Sequence, residues 1–511
     1  MDFDGGIVTT KPLALVATFA ALSIIYVVCK VIYNLYLHPL HHIPGPKLSA
    51  ISRLPYVHSR LNFTTDKYVL KLHDKYGHVV RITPNEVSFT SGETAWPDIY
   101  GFRTGKLRGH QNMEKDKGWY AKPVNGYPSI LAADDAAHSR GRRILSHAFS
   151  ANALAEQEGL VQAYVDQLIS GLKESITTES GAPQDMAKWY NWTTFDVIAD
   201  LLFGEPFGSL QDKATHKHID TQLRSLDAGH LFYIMTYWPW TKALGGLIID
   251  QQAMKDRLEY FHWIKSQVEK RAARETQRPD FMTHILKHNE TGKDKGMGLT
   301  DQELVTNAQL FITAGSETTA TMLSGTMYML CKTPSVLIKL QDEVRSAFLS
   351  YGEITLAGVS KLPYLFAVIE EGLRYFPPVP TGFERTVGKG GEVISGVFIP
   401  ENTGVCVSQI AAYHSQENFI NPLKFAPERW MGDEEYKDDK KNAYQPFSFG
   451  PRNCLGKNLA YAEMKLILAK MVWSFDFALD AKSDDWMDRC KVSTLWKKPE
   501  LAVHLNEIMR D

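Results

Sequence analysis

Between Phe447 and Gly456 the chain reads Phe-Ser-Phe-Gly-Pro-Arg-Asn-Cys-Leu-Gly, a glycine-bounded loop that offers one cysteine just before a strongly helical run. Gly450 and Gly456 carry no Cβ, so backbone can approach a flat group closely and adopt dihedrals that other residues avoid. Pro451 stiffens the loop. Cys454 stands at the entrance of residues 455–473, where unpaired helical N–H groups and the positive end of the dipole favour a thiolate over a thiol. Arg452 brings a permanent cation two residues away, suited to a carboxylate. A lone cysteine beside a helix is ordinarily a small buried hydrophobe. The complete spacing Phe-x-x-Gly-x-Arg-x-Cys-x-Gly sets this one apart.

That pattern resembles the haem-binding loop of the cytochrome P450 family. The resemblance implies that Cys454 is the axial ligand of the iron of heme b, its thiolate pushing electron density toward O–O cleavage, with Arg452, Phe447 and Gly450 beside the cofactor. It also implies a mainly α fold with a small β-sheet region. A length of 511 residues would by itself allow about three domains. The resemblance points instead to an anchor segment over residues 1–37, a proline-rich hinge over 38–50 and one catalytic domain over 51–511.

Composition is consistent with this: 44% hydrophobic and 22% charged residues suit a globular chain with a large core. A formal net charge of -2 gives no reason to expect nucleic acid as a partner. Cys29, Cys331, Cys406, Cys454 and Cys490 are far apart and form no C-x-x-C pair, so neither a disulfide framework nor a zinc site is indicated.

Residues 13–29 carry no charge, and apolar character resumes after Lys30 as far as Leu37. At about 1.5 Å per residue such a helix spans the roughly 30 Å hydrocarbon layer, with Lys30 snorkelling to the interface. Lys11 is the only base before it, whereas Lys30, Lys47 and Arg53 follow, which orients the body toward the cytosol. The cationic flank lies on the wrong side of the apolar run for a cleaved signal peptide. Pro39 and Pro44-Gly45-Pro46 stiffen the next segment. Similar hinges follow the anchors of microsomal family members, so the resemblance implies a single-pass protein of the endoplasmic reticulum membrane.

Further along, residues 65–76 read as a helix, and 79–82 and 87–89 as two short strands about a Pro84-Asn85 turn. Residues 101–128 have no clear period; in the family this region walls the substrate. Residues 134–150 read as a basic helix on which His138 and Arg142, four apart, face the same way. The resemblance makes them the pair that meets the haem propionates, with His where a Trp is more frequent. Amphipathic patterns predict helices over 154–176, 192–203, 216–228 and 251–276. The aromatic stretch 231–249 is open to two readings, core packing or a mouth dipping into the membrane. Residues 288–298 read as a polar loop.

A long helix is expected over 301–331, interrupted at Ala314-Gly315-Ser316-Glu317-Thr318-Thr319, where Gly315, Ser316 and Thr318 cost helix stability. A threonine bonding back to its own helix is the plain reading of Thr318. By resemblance this is the kink that opens a groove for dioxygen, Thr318 holding the oxygen and a water, and Glu317 taking part in proton delivery. Glu371 and Arg374 form an i,i+3 pair followed by Phe376-Pro377-Pro378-Val379-Pro380, and Arg429 lies in Pro427-Glu428-Arg429-Trp430. The family's order makes Glu371, Arg374 and Arg429 a buried structural triad. Residues 379–383 should reach the distal pocket, and Arg385 a propionate. Residues 393–399 read as a hairpin, and 433–441 as a solvated loop. Three N-x-[ST] sequons begin at Asn62, Asn191 and Asn289, which a cytosolic body would leave unmodified.

The implied activity is that of a microsomal haem monooxygenase. It inserts one atom of dioxygen into an apolar organic substrate and draws electrons from an NADPH-dependent flavoprotein reductase that docks near Lys457 and Lys465 on the thiolate side. The segments 446–464 and 377–382 resemble filamentous-fungal members that tailor secondary metabolites such as terpenoids or polyketides. Two other readings stay open on the sequence: a haem-thiolate isomerase or dehydratase acting on peroxides without a reductase, and a membrane-anchored haem protein without catalysis.

Overall fold

The computed structural model describes residues 10–120, 123–178, 181–227, 229–245, 251–274, 276, 278–294, 297–492 and 494–509. The apolar N-terminal run forms the helix Thr10–Ile32 and one further π-helical turn, Tyr33–Leu37. Within it Ala14–Leu37 is long and apolar enough to cross a membrane; its most apolar stretch is not covered by the described residues, whereas Asn34 near its end is buried. The body is mainly helical with small sheets. Its centre is the helix Asp301–Lys332, buried along almost its whole length and packed most closely against Met186–Phe203. The latter is buried on every side from Trp192 to Phe203, as suits a helix that other elements surround.

Five strands form the larger sheet in the order Val79–Thr83, Glu86–Phe89, Gly404–Val407, Arg385–Thr386, Glu114–Lys115. Every pair is antiparallel except the second with the third, which runs parallel. The first two strands and the hairpin Glu392–Ile394 with Val397–Ile399 lie where alternation and turn residues predict them. A second sheet joins Gln184–Asp185, Ala502–Glu507 and Phe475–Leu479. It ties the C-terminus to the start of Met186–Phe203, whose N-cap is Asp185. That cap explains why this helix starts six residues before the expected Trp192.

Three expectations need correction. The helix Asp301–Lys332 runs without a break through Gly315 and Thr318. The Ser316 and Thr318 hydroxyls donate to the carbonyls of Ile312 and Ala314, at 2.5 and 2.8 Å, so their competition with the backbone stays inside the helix. Gly315 is needed for packing: a Cβ there would lie 2.9 Å from Ile198 Cδ1. The predicted loop over 288–298 is helical as far as Asp294, in Phe281–Asp294. Asn289 stabilises this end, its buried amide bonded both ways to the backbone of Leu299. Finally, residues 433–441 are not wholly solvated: Tyr436 and Asp439 are buried.

The proline-rich segment is docked rather than free. Leu40 and Ile43 are buried, Arg81 N–H donates to Pro44 O at 2.8 Å, and Arg81 Nη1 donates to Asn34 O at 2.9 Å. A Cβ on Gly45 would meet Arg81 O at 2.4 Å, which is why a glycine stands between the two prolines. In the aromatic stretch Tyr233 packs with Tyr56 in a second small core, whereas Trp240 is 68% exposed. Residues 246–249 of that stretch lie outside the described residues.

Candidate active site

The cysteine loop is shaped by backbone contacts. Gly450 takes φ +74°, and a Cβ on it would sit 2.0 Å from Tyr100 O, so only glycine lets the loop press against this neighbour. Cys454 N–H donates to Phe447 O at 2.8 Å, closing the loop, and the Gly456 amide points at the sulfur. The helix Lys457–Ser474 follows. Burial raises the Cys454 thiol, against the opposing pulls of the Gly456 N–H, Arg142 and Lys457. The helix entrance pulls toward the thiolate as the sequence suggested, and desolvation outweighs that pull.

Solvent nevertheless reaches Cys454. It also reaches Ala314, an interior residue of the central helix flanked by buried Phe311, Ile312, Thr313, Ser316 and Glu317. Thr318 lies one turn on from Ala314, on the same face, and is half-buried. Phe149 links the loop to this helix: its ring packs on Phe311, centroids 5.3 Å apart, and lies 3.9 Å from where a Gly456 Cβ would be.

Beside the loop the structure gathers basic groups from four segments. Arg452 pairs with Asp135 at 2.7 Å, while its buried Nη1 has no partner among the described residues. Arg385 is buried, its Nε without a partner among the described residues and its Nη1 donating to Met113 O at 3.3 Å. Lys115 donates to Tyr120 Oη at 3.0 Å, and burial together with Arg385 and Arg452 holds its ammonium well below the usual lysine range. His138 is buried, and desolvation, then Arg452, Arg142 and Lys115, push it down to about 4. It is thus neutral at physiological pH and offers a single N–H. The guanidiniums of Arg452 and Arg385, with Lys115 and this imidazole beside them, leave positive charge and unused donors that the carboxylate of Asp135 does not satisfy and two carboxylates of a prosthetic group would.

The residues therefore fit a haem: Cys454 for the iron, and Arg452, Arg385, Lys115 and His138 for its acidic edge. Arg142 shares a helix face with His138 but is turned to the loop, donating to Asn453 O and Oδ1, each at 2.6 Å. Lys115 and Tyr120 were missed because nothing local marks them; they come from a stretch with no period.

On the other side of the site, Glu317 is buried and its Oε1 is paired with the ammonium of Lys498, which also donates to Thr321 Oγ1 at 2.9 Å. Oε2 of Glu317 has no partner among the described residues. Sequence reasoning missed Lys498, which lies 181 residues away.

Glu371, Arg374 and Arg429 meet with no solvent exposure. Arg374 grips Glu371 with two hydrogen bonds, 2.7 and 2.9 Å, and Arg429 Nε stands 3.5 Å from Glu371. Asp439, from the supposed solvated loop, pairs with Arg429 and balances the cluster at two anions and two cations.

A family model for cytochrome P450 matches residues 48–505. The chain is 55% identical over 492 residues to cytochrome P450 monooxygenase traB of Penicillium crustosum, covering 96% of each. It is 42% identical to cytochrome P450 monooxygenase efuB of Hormonema carpetanum over 97% of each, and 39% identical to averantin hydroxylase of Dothistroma septosporum over 96% of this chain and 91% of that one. With residues that fit a haem and a match of this extent, the chain belongs to the cytochrome P450 family and is a haem monooxygenase.

Proposed function

We propose that the enzyme hydroxylates or otherwise oxidises an apolar fungal secondary metabolite, a terpenoid or polyketide, with electrons from an NADPH-dependent flavoprotein reductase. The observation that carries this reading is the solvent-reached face of Ala314 and Thr318 on an otherwise buried helix that is joined to the cysteine loop through Phe149. Bound haem supplies the oxygen-activating chemistry. The chain's own residues would then have these roles: Cys454 would hold the iron, the basic cluster would orient the acidic edge, Thr318 would hold a water on the open face, and Glu317 would carry protons. Trp119 and Phe383, ring centroids 6.1 Å apart, offer apolar surface beside Lys115 and so line the substrate side. Averantin hydroxylase among the relatives supports a hydroxylation outcome. Residues 14–37 anchor the protein in the endoplasmic reticulum membrane, with the body cytosolic because Lys30, Lys47 and Arg53 follow the span and only Lys11 precedes it.

The test is reconstitution with reductase under labelled dioxygen, using a panel of apolar metabolites. Product carrying one labelled oxygen, formed only with NADPH and reductase, supports the proposal. Conversion of a peroxide substrate without reductase would favour an isomerase instead. In Glu317→Gln, substrate-dependent NADPH oxidation should slow by roughly 10²-fold with unchanged substrate affinity, as expected when a positioned acid is lost.

The exposed Lys457 follows the cysteine loop, its ammonium 5.6 Å from the Phe447 ring centroid. Lys457→Glu should slow the first electron transfer severalfold, most at low salt, while substrate binding spectra stay the same. Stopped-flow reduction across an ionic-strength series reads this directly.

A further inference from the structure

The pair formed by Glu317 and Lys498 is not an incidental contact. Their side chains are 4% and 3% exposed. The backbone on both sides of Lys498 is held: Trp496 Nε1 donates to Pro377 O at 2.7 Å while its ring stacks on Phe376, and Pro499 O accepts from Trp486 Nε1 at 2.9 Å. A lysine delivered between two such fixed points has little freedom to wander. Its ammonium is satisfied by Glu317 and by Thr321 one turn further along the helix. At 100° per residue, the face of Glu317 and Thr321 borders the open face of Ala314 and Thr318, about 60° round the helix from it. The carboxylate is thus docked beside the site rather than in it, with Oε2 unpartnered among the described residues.

We propose that Lys498 is the positioning residue of this acid: it keeps Glu317 ionised and parked over Thr321, and the carboxylate serves the Thr318 face only on leaving the ammonium. This rests on the reading of Glu317 as the proton-carrying acid. Without the ammonium, a carboxylate in this buried place has no counter-charge, and the neutral acid is favoured. Proton supply then no longer waits on the opening of the pair, and oxygen activation loses its timing.

The experiment uses the full-length haem-loaded protein in three variants: Lys498→Met, Lys498→Arg and the double variant Lys498→Met with Glu317→Gln. Infrared difference spectroscopy of the resting enzyme should show a protonated-carboxyl C=O band in Lys498→Met that is missing from wild type, from Lys498→Arg and from the double variant. The share of NADPH electrons lost to hydrogen peroxide should rise about fivefold in Lys498→Met, a modest pair coupling, and return toward wild type in Lys498→Arg. In the Glu317→Gln background the same lysine change should leave the peroxide share unaltered, because Lys498 acts only through Glu317. If Lys498→Met does not fold, Lys498→Gln keeps a donor, removes the charge and must give the same band. No band, or an equal rise in peroxide with and without Glu317, overturns the proposal and makes Lys498 a structural staple. If Glu317→Gln alone leaves NADPH oxidation unchanged, the reading of Glu317 fails instead, and the infrared result still reports on the pair.

Discussion

Replacing Cys454 by serine abolishes the strongly red-shifted Soret band that the dithionite-reduced, carbon monoxide-treated wild type shows, and brings monooxygenase activity to background. Serine matches the size of cysteine, and the loop is held by groups the change does not touch: Cys454 N–H to Phe447 O, and Gly450 against Tyr100 O. Its oxygen cannot replace the soft thiolate that gives the family's iron its electronic push. Thermal unfolding should move little, which separates lost ligation from lost structure. A wild-type protein shown to contain haem but lacking the band would mean that the ligand is not a thiolate. The oxygen-handling roles of Glu317 and Thr318 would fall with it.

Glu371→Gln is the second large effect, expected to remove about 3–5 kcal/mol of stability and most haem incorporation, although Glu371 touches no reacting group. The two oxygens of Glu371 accept from Arg374 twice, from Ala426 N at 2.9 Å and from Trp430 Nε1 at 2.9 Å. An amide offers one accepting oxygen in place of two and no charge. Arg374 and Arg429 would be left as two buried cations against Asp439 alone. Arg374 also donates to the carbonyls of Tyr413 and Pro422, at 2.9 and 2.8 Å, so disturbing it loosens the approach to the cysteine loop. Urea unfolding and the Soret-to-protein absorbance ratio measure both parts. A stable variant with a full complement of haem would show that the cluster is not what holds this face together.

Elements governed by near neighbours were legible in the sequence. The strand pair around Pro84-Asn85, the hairpin at Ser395-Gly396 and the helices with clear apolar stripes lie close to where period and turn chemistry put them. What local pattern could not supply was the partner brought from afar. Asp439 sits in a run of charges that reads as solvated until Arg429 is found beside it. Lys115, Arg385 and Arg452 are ordinary singly, and their meaning is the surplus of positive charge that arises when folding brings them together. Thr318 and Ser316 were legible as helix-weakening residues, but that the helix would absorb them depends on hydroxyl bonds and on Ile198, neither visible along the chain.

Arg81 has a reach beyond the sheet. Asn34 belongs to the run 14–37 that reads as the anchor, yet its carbonyl is already bound to Arg81 of the body, and Pro44 is bound to the same residue's amide. The tether thus has almost no slack. On the membrane reading, the catalytic body cannot drift from the bilayer surface on a flexible leash, and it meets oily metabolites within the plane of the lipid. Substrate capture becomes a two-dimensional search in which partitioning into the bilayer, more than bulk solubility, sets the concentration the enzyme experiences.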